Sequence, residues 1–123
     1  MKLLRQLHGL IREKIKDHTR SSEWPSVRRN YLKLHPACES CGCNKNLQVH
    51  HVSPFHLHPE LELDESNLIT LCMGDNECHL LVGHGDDWKC YNPSVRSDAQ
   101  EFGSHPDDRR IIVERAKSGR LKD

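Results

Sequence analysis

The placement of its cysteines constrains this chain more than any other feature. Six cysteines occur in 123 residues, and four of them form two pairs, Cys38-x2-Cys41 and Cys72-x5-Cys78, separated by residues 42–71. Two thiolates three residues apart can both reach one tetrahedral ion when the loop turns back on itself. Paired in this way around a two-strand unit, Cys38, Cys41, Cys72 and Cys78 predict a structural Zn²⁺ site. The second pair is wider than a tight knuckle, and Cys43 offers a third thiol in the first loop, so Cys43 could replace one of the four. Cys90 stands apart and reads as a free, partly buried thiol.

Such a staple is needed. Only 35% of the residues are hydrophobic and 5% aromatic, so the apolar core is small and must be reinforced by a metal or by disulfides. The N-terminal run MKLLRQLHGLIREKIKDH carries charges throughout and has no long apolar segment, unlike a secretory signal. No stretch approaches the length of a membrane span. A cytoplasmic, reducing location without membrane attachment is therefore expected, and in it paired cysteines read as metal ligands before disulfides.

Formal charge sums to zero, with 18 basic and 18 acidic residues, yet it is unevenly spread. Residues 1–33 hold nine Lys/Arg against three Asp/Glu, residues 109–123 hold six against two, and the middle holds three against thirteen. Basic flanks around an acidic centre are compatible with a phosphate-gripping periphery, and equally with solvated helix faces.

Apolar residues at helical spacing predict an amphipathic helix over 1–20, whose leucine stripe could serve the core or a homodimer. Ser21-Ser22 and Pro25 then suit the start of a second helix running to about Leu34, which carries Arg28 and Arg29. Leu47-Gln48-Val49-His50-His51-Val52 reads as a strand, and Asn67 to Cys72 as another. Cys78 begins a short helix cut by Gly83 and Gly85, and further helices are expected from Asn92 to Phe102 and from Pro106 to Ser118. One domain is expected over 1–123, with a core at 23–88 and C-terminal helices at 92–120.

Neighbouring strand residues point to opposite faces, so His50 and His51 have different surroundings. Imidazole serves as a metal ligand when neutral and as a general base near neutral pH. His79 directly follows Cys78, so a metal-bound thiolate would aim it back across the strands. Asn67 could hold an imidazole in one tautomer.

Taken together, Cys38-x2-Cys41, LQVHHV, NLITLC and Cys78-His79 resemble the HNH endonuclease family, in particular its small, zinc-stapled, phage-type members. The resemblance is strong over residues 23–88. It implies an α+β fold with a ββα-metal core, flanked on both sides by helices. It further implies His51 as general base, Asn67 as the residue orienting it, and His50 as a metal ligand where many relatives carry aspartate. His79 would be a second ligand or a phosphate contact. His84 is a less certain ligand, because five residues past His79 it would leave that face of an α-helix unless Gly83 breaks it. His56 and His58 read as phosphate contacts or surface residues, and Arg28 and Arg29 as grips on DNA phosphates.

The implied activity is metal-dependent hydrolysis of DNA phosphodiester bonds. One Mg²⁺, Mn²⁺, Ni²⁺ or Co²⁺ would serve it, a histidine-rich site suiting the last three. The main alternative is a non-catalytic, zinc-stabilised nucleic-acid-binding module. A protein-interaction adaptor built on the N-terminal helix is a third reading.

Overall fold

Residues 19–123 are described by the computed structural model. The helix expected over 1–20 falls outside the described residues except for Thr19 and Arg20, which are irregular. Helix α1 spans Trp24–Leu34. Ser21 Oγ accepts the Glu23 N–H at 3.1 Å, and Pro25 occupies the first turn, where its missing N–H costs nothing. His35 closes the helix through its N–H to the Tyr31 carbonyl at 2.8 Å, ahead of Pro36.

Strands β1 (Leu47–His51) and β2 (Leu68–Cys72) pair antiparallel, with His50 opposite Ile69 and His51 opposite Leu68. One face of this hairpin is covered by α1. Tyr31 packs with Val49 and Leu68, and its hydroxyl donates to the Leu68 carbonyl at 2.9 Å. The other face carries the main core, in which Ile69, Leu71, Val82, Val95, Phe102 and Ile112 meet. Every residue of β2 is buried, as a strand covered on both sides requires.

After β2 a five-residue π-helical turn spans His79–Gly83. A two-residue strand β3 (Cys90–Tyr91), helix α2 (Val95–Ser104), helix α3 (Arg109–Gly119) and strand β4 (Leu121–Lys122) follow. Helix α2 begins three residues later than Asn92 because Asn92 is engaged elsewhere. Its Oδ1 accepts the Ser94 N–H at 3.0 Å, and its amide group donates to the Val82 carbonyl and to Asp98 Oδ2. Arg115 of α3, itself exposed, closes this group from the solvent side with two hydrogen bonds to Asp98 Oδ1 at 3.0 and 2.6 Å. Leaving buried Asn92 or Asp98 unpaired would cost its full desolvation.

The order strand, strand, helical turn, with helices on either side, is α+β, as the family resemblance implies. The antiparallel pairing of β3 with β4, which returns the chain to the helical turn, has no counterpart in the sequence pattern.

Cys38, Cys41, Cys72 and Cys78 come together with their sulfurs all within 4.8 Å of one another. The loop makes the knuckle turn through the Gly42 N–H to the Cys38 carbonyl at 2.8 Å, with Gly42 in the left-handed region at φ 83°. The Cys41 N–H points at Cys38 Sγ at 3.4 Å, and Cys41 Sγ lies 3.5 Å from Cys72 Sγ. Cys43 is outside the cluster, its thiol donating to the Lys45 carbonyl. Cys38 is pushed down to about 4, chiefly by the Cys78 thiol that bonds to it, and the same bond pushes Cys78 up. Sulfurs this close cannot all ionise without a cation, so the donor set fits a tetrahedral, thiolate-bound ion such as Zn²⁺. Because such an ion contributes folding free energy directly, Cys38→Ser or Cys78→Ser should abolish cooperative thermal unfolding of the native fold. Circular dichroism melts check this; an unchanged Tm in either variant would contradict a structural role for the cluster.

Candidate active site

The second group of convergent ligand atoms lies on the opposite side of β1 from α1. His50, His79 and His84 each offer a nitrogen, and these nitrogens lie within 4.8 Å of one another. Three different elements supply them: the body of β1, the first residue of the π-turn, and the residue just after it. In an α-helix His84 would be about 1.4 turns beyond His79 and would face away. Here the His84 N–H bonds to the His79 carbonyl at 3.1 Å, five residues back, and this wider winding returns the side chain to the same face. The two Nε2 atoms stand 3.3 Å apart.

Gly83 makes the approach of the turn to β1 possible. A Cβ on Gly83 would lie 3.1 Å from Leu71 Cδ1 and 3.2 Å from two atoms of the His50 ring.

Hydrogen bonds on the far sides of the rings define their tautomers. His84 Nδ1 faces the Cys90 carbonyl at 2.7 Å; a carbonyl only accepts, so Nδ1 carries the proton and Nε2 a lone pair. His79 Nδ1 faces Gln48 Oε1 at 2.7 Å, which leaves its Nε2 with a lone pair as well. His50 Nε2 is buried without a hydrogen-bond partner. Burial lowers all three imidazoles, His79 to about 3; neighbouring imidazoles add to the effect at His50 and His79, whereas at His84 the Cys90 carbonyl and the Asp123 and Asp87 carboxylates oppose it. Neutral rings with lone pairs facing one another repel unless a proton or cation lies between them. The donor set therefore fits a divalent transition ion, held by outer hydrogen bonds of the kind that orient metal-binding histidines.

His51 faces the other way. Its ring packs on Trp24 of α1 at 4.5 Å between centroids, and its Nε2 lies 2.9 Å from the Glu62 carbonyl. The carbonyl accepts, so Nδ1 is the basic nitrogen. Burial pushes His51 below the usual imidazole range, opposed by the Glu62 carbonyl and reinforced by the Arg20 guanidinium. Although they leave the strand on opposite faces, His50 and His51 both line one cleft of about 260 Å³ together with His79 and His84.

Among the described residues, Asn67 makes no hydrogen bond to an imidazole. It closes a short 3₁₀ turn (Glu65–Asn67) ahead of β2, and its amide pins the intervening loop. Oδ1 accepts the Ser53 N–H at 2.8 Å, while Nδ2 donates to the carbonyls of Ser53 and Leu61 at 3.1 and 3.2 Å. Leu61 precedes Glu62, so Asn67 reaches His51 through the backbone that carries the Glu62 carbonyl.

Arg28 and Arg29 are exposed on α1 and do not line the cleft, nor does His58; His56 does. Arg20 and Trp88, not singled out from the sequence, line it too. The guanidinium of Arg20 lies 5.7 Å from the Trp24 ring centre and 4.7 Å from that of Phe55, with Glu62 at 3.7 Å. The Arg20-x3-Trp24 spacing is the one local signal that could have found it. Trp88 stands against the rings of His79 and His84, with centroids at 5.2 and 4.8 Å.

Residues 38–84 match the family model described as HNH endonuclease, a span that contains both ligand clusters and ends on His84. No curated protein and no solved structure matches the chain. Among the described residues no helix is long and apolar enough to cross a membrane.

The tight seat of Gly83 makes it a sensitive point of the imidazole cluster. Gly83→Ala should destabilise the fold by about 1–3 kcal/mol through overpacking and weaken Ni²⁺ or Co²⁺ binding by displacing His50. Calorimetric metal titration with a parallel melt checks this, and a variant that binds as wild type would contradict it.

Proposed function

Because residues 38–84 match the HNH endonuclease model, we propose that the chain is a member of that family and a metal-dependent DNA endonuclease hydrolysing phosphodiester bonds. The observation that supports this reading best is the juxtaposition in one cleft of a three-imidazole ligand set and a fourth, separately oriented imidazole. Ligand and base must differ in orientation while lying close enough to act on one phosphate, and adjacent strand residues provide that.

In this reading His50, His79 and His84 hold a single divalent ion. Bound there, the ion would stabilise the charge that builds on the phosphate and on the departing 3′ oxygen. His51 takes a proton from water at Nδ1, while its Nε2–H stays on the Glu62 carbonyl, so the ring cannot rotate away as it becomes charged. Water freed of its proton attacks phosphorus in line with the leaving oxygen, giving 5′-phosphate and 3′-hydroxyl ends as the family resemblance implies. Asn67 keeps the loop in place behind that carbonyl. Arg20 offers its guanidinium to the non-bridging phosphate oxygens at the mouth of the cleft, and Arg28 and Arg29 meet phosphates farther along the strand. Cys38, Cys41, Cys72 and Cys78 hold Zn²⁺ and take no part in the chemistry.

Incubating supercoiled plasmid with the protein and Mn²⁺ should produce nicked circles, and EDTA should prevent this. His51→Ala should retain the fold and reduce the rate by about 10²- to 10⁴-fold, the span general-base catalysis supplies. DNA retained without nicking under every divalent ion would instead support the non-catalytic binding module. The pH profile gives a separate check. His51 acts in its neutral form, which exists above its pKa, and its pKa is lowered. Cleavage should therefore persist as pH falls through the ordinary imidazole value of about 6.5 and be lost only below it. A midpoint at or above 6.5 would contradict the buried-base assignment.

A further inference from the structure

The lining of the cleft points to the form of the nucleic acid, an inference that rests on the nuclease reading above. The chain has only two Trp, two Tyr and two Phe, and three of those six, Phe55, Trp88 and Tyr91, line this one cleft. Among the described residues, Arg20 is the only lysine or arginine lining it, and the carboxylate of Glu62 lies 3.7 Å from that guanidinium. A surface that grips duplex DNA does so by neutralising many phosphates. This one is poor in charge and rich in rings.

The rings are not equivalent. Phe55 is buried with Arg20 over it, and Tyr91 is half-buried. Trp88 is 50% exposed, although its ring adjoins His79 and His84. Its turn is rigidly pinned: Asp87 Oδ1 accepts the Lys89 N–H at 2.9 Å, Arg120 donates to the Gly85 carbonyl at 2.7 Å, and the Asp123 N–H bonds to the Lys89 carbonyl at 2.9 Å. An exposed ring held by so many bonds offers a flat surface with little ordering left to lose on contact.

We infer that Trp88 stacks on a nucleobase next to the scissile phosphate, and that the preferred substrate is a single strand or a site with an unpaired base. Bases within a duplex already stack on each other, and presenting one to Trp88 requires unstacking; an unpaired base offers its face at once.

Two measurements test this. The first uses His51→Ala protein loaded with Zn²⁺, in which cutting should be slowed by about 10²- to 10⁴-fold, and a short oligothymidine strand as the probe. Saturating strand should quench the tryptophan emission of His51→Ala. It should leave that of His51→Ala/Trp88→Phe, where only Trp24 remains, nearly unchanged. The second compares cleavage by wild type and Trp88→Ala in Mn²⁺. Trp88→Ala should lose about 5- to 150-fold in kcat/KM on the single strand, the equivalent of one base–aromatic stack, and much less on a blunt duplex. Equal losses on both substrates, or a weakened affinity for Ni²⁺ with the substrate ratio unchanged, would overturn the proposal and make Trp88 a wall of the imidazole cluster. Quenching that depends on Trp88, with no cleavage by wild type under any metal, would support the stacking subsite and count against the nuclease reading instead.

Discussion

The four-sulfur cluster determines where everything else in the described structure sits. Cys72 is the last residue of β2 and Cys78 the residue before the π-turn, so bringing their sulfurs together fixes the five residues between them as a tight connection. Cys38 and Cys41 then fasten the end of the α1 segment to that corner, and the Glu39 N–H extends the attachment to the Thr70 carbonyl at 2.9 Å. Without it, a hairpin of two five-residue strands would be marginal. With it, the start of the helical turn is set against the hairpin, and His79, one residue after Cys78, inherits its position across from His50.

The other half of the imidazole cluster is positioned from the opposite direction. His84 ends the span that matches the family model, and the groups that orient it come from beyond that span. Cys90 of β3 supplies the carbonyl for its Nδ1, and β4 holds β3 in place. The Asn92 N–H bonds to the Gly83 carbonyl at 2.9 Å, and its amide group bonds to Val82, tying the end of the π-turn to the Asp98–Arg115 pair between α2 and α3. The C-terminal helices thus act as a buttress. They hold the end of the π-turn, Val82 to His84, largely through backbone carbonyls that no side-chain pattern displays.

That explains what could be read from the sequence and what could not. The hairpin was legible because LQVHHV and LITLC are short apolar strands bounded by turn residues, and the sulfur cluster because ligand spacing is a strong local signal. The separate surroundings of His50 and His51 followed from strand alternation alone. His84 was ambiguous because α-helical geometry turns it away, and nothing in HLLVGHG announces a π-turn; the winding is decided by packing, with Gly83 against Leu71 and His50. Asn67, expected as the first residue of β2 and on an imidazole, instead closes the 3₁₀ turn ahead of the strand, and its amide binds three backbone groups of the preceding loop. Beyond the Arg20-x3-Trp24 spacing, Arg20 and Trp88 carry no sequence signal of a site because each becomes a cleft residue only through tertiary packing. The β3–β4 pair, two residues a side, is too short for any periodicity to reveal.

The electrostatic character of the cleft follows from the same packing. Burial keeps the imidazoles neutral, the cleft's arginine is partly offset by Glu62, and the chain as a whole has no net charge. Such a site attracts a cation through the imidazole lone pairs and the Asp123 carboxylate that also lines it, and by itself has little to attract an anion. Once a divalent ion is bound, the balance reverses, because two positive charges in a poorly solvated cleft draw phosphate far more strongly than they would in water. If the chain acts on DNA as proposed, ion and DNA would bind cooperatively, each tightening the other by the same factor, since coupling between two binding equilibria is reciprocal. Under the nuclease reading, a cleft that becomes positive only when loaded would restrict tight phosphate binding to the form of the protein that could also hydrolyse it.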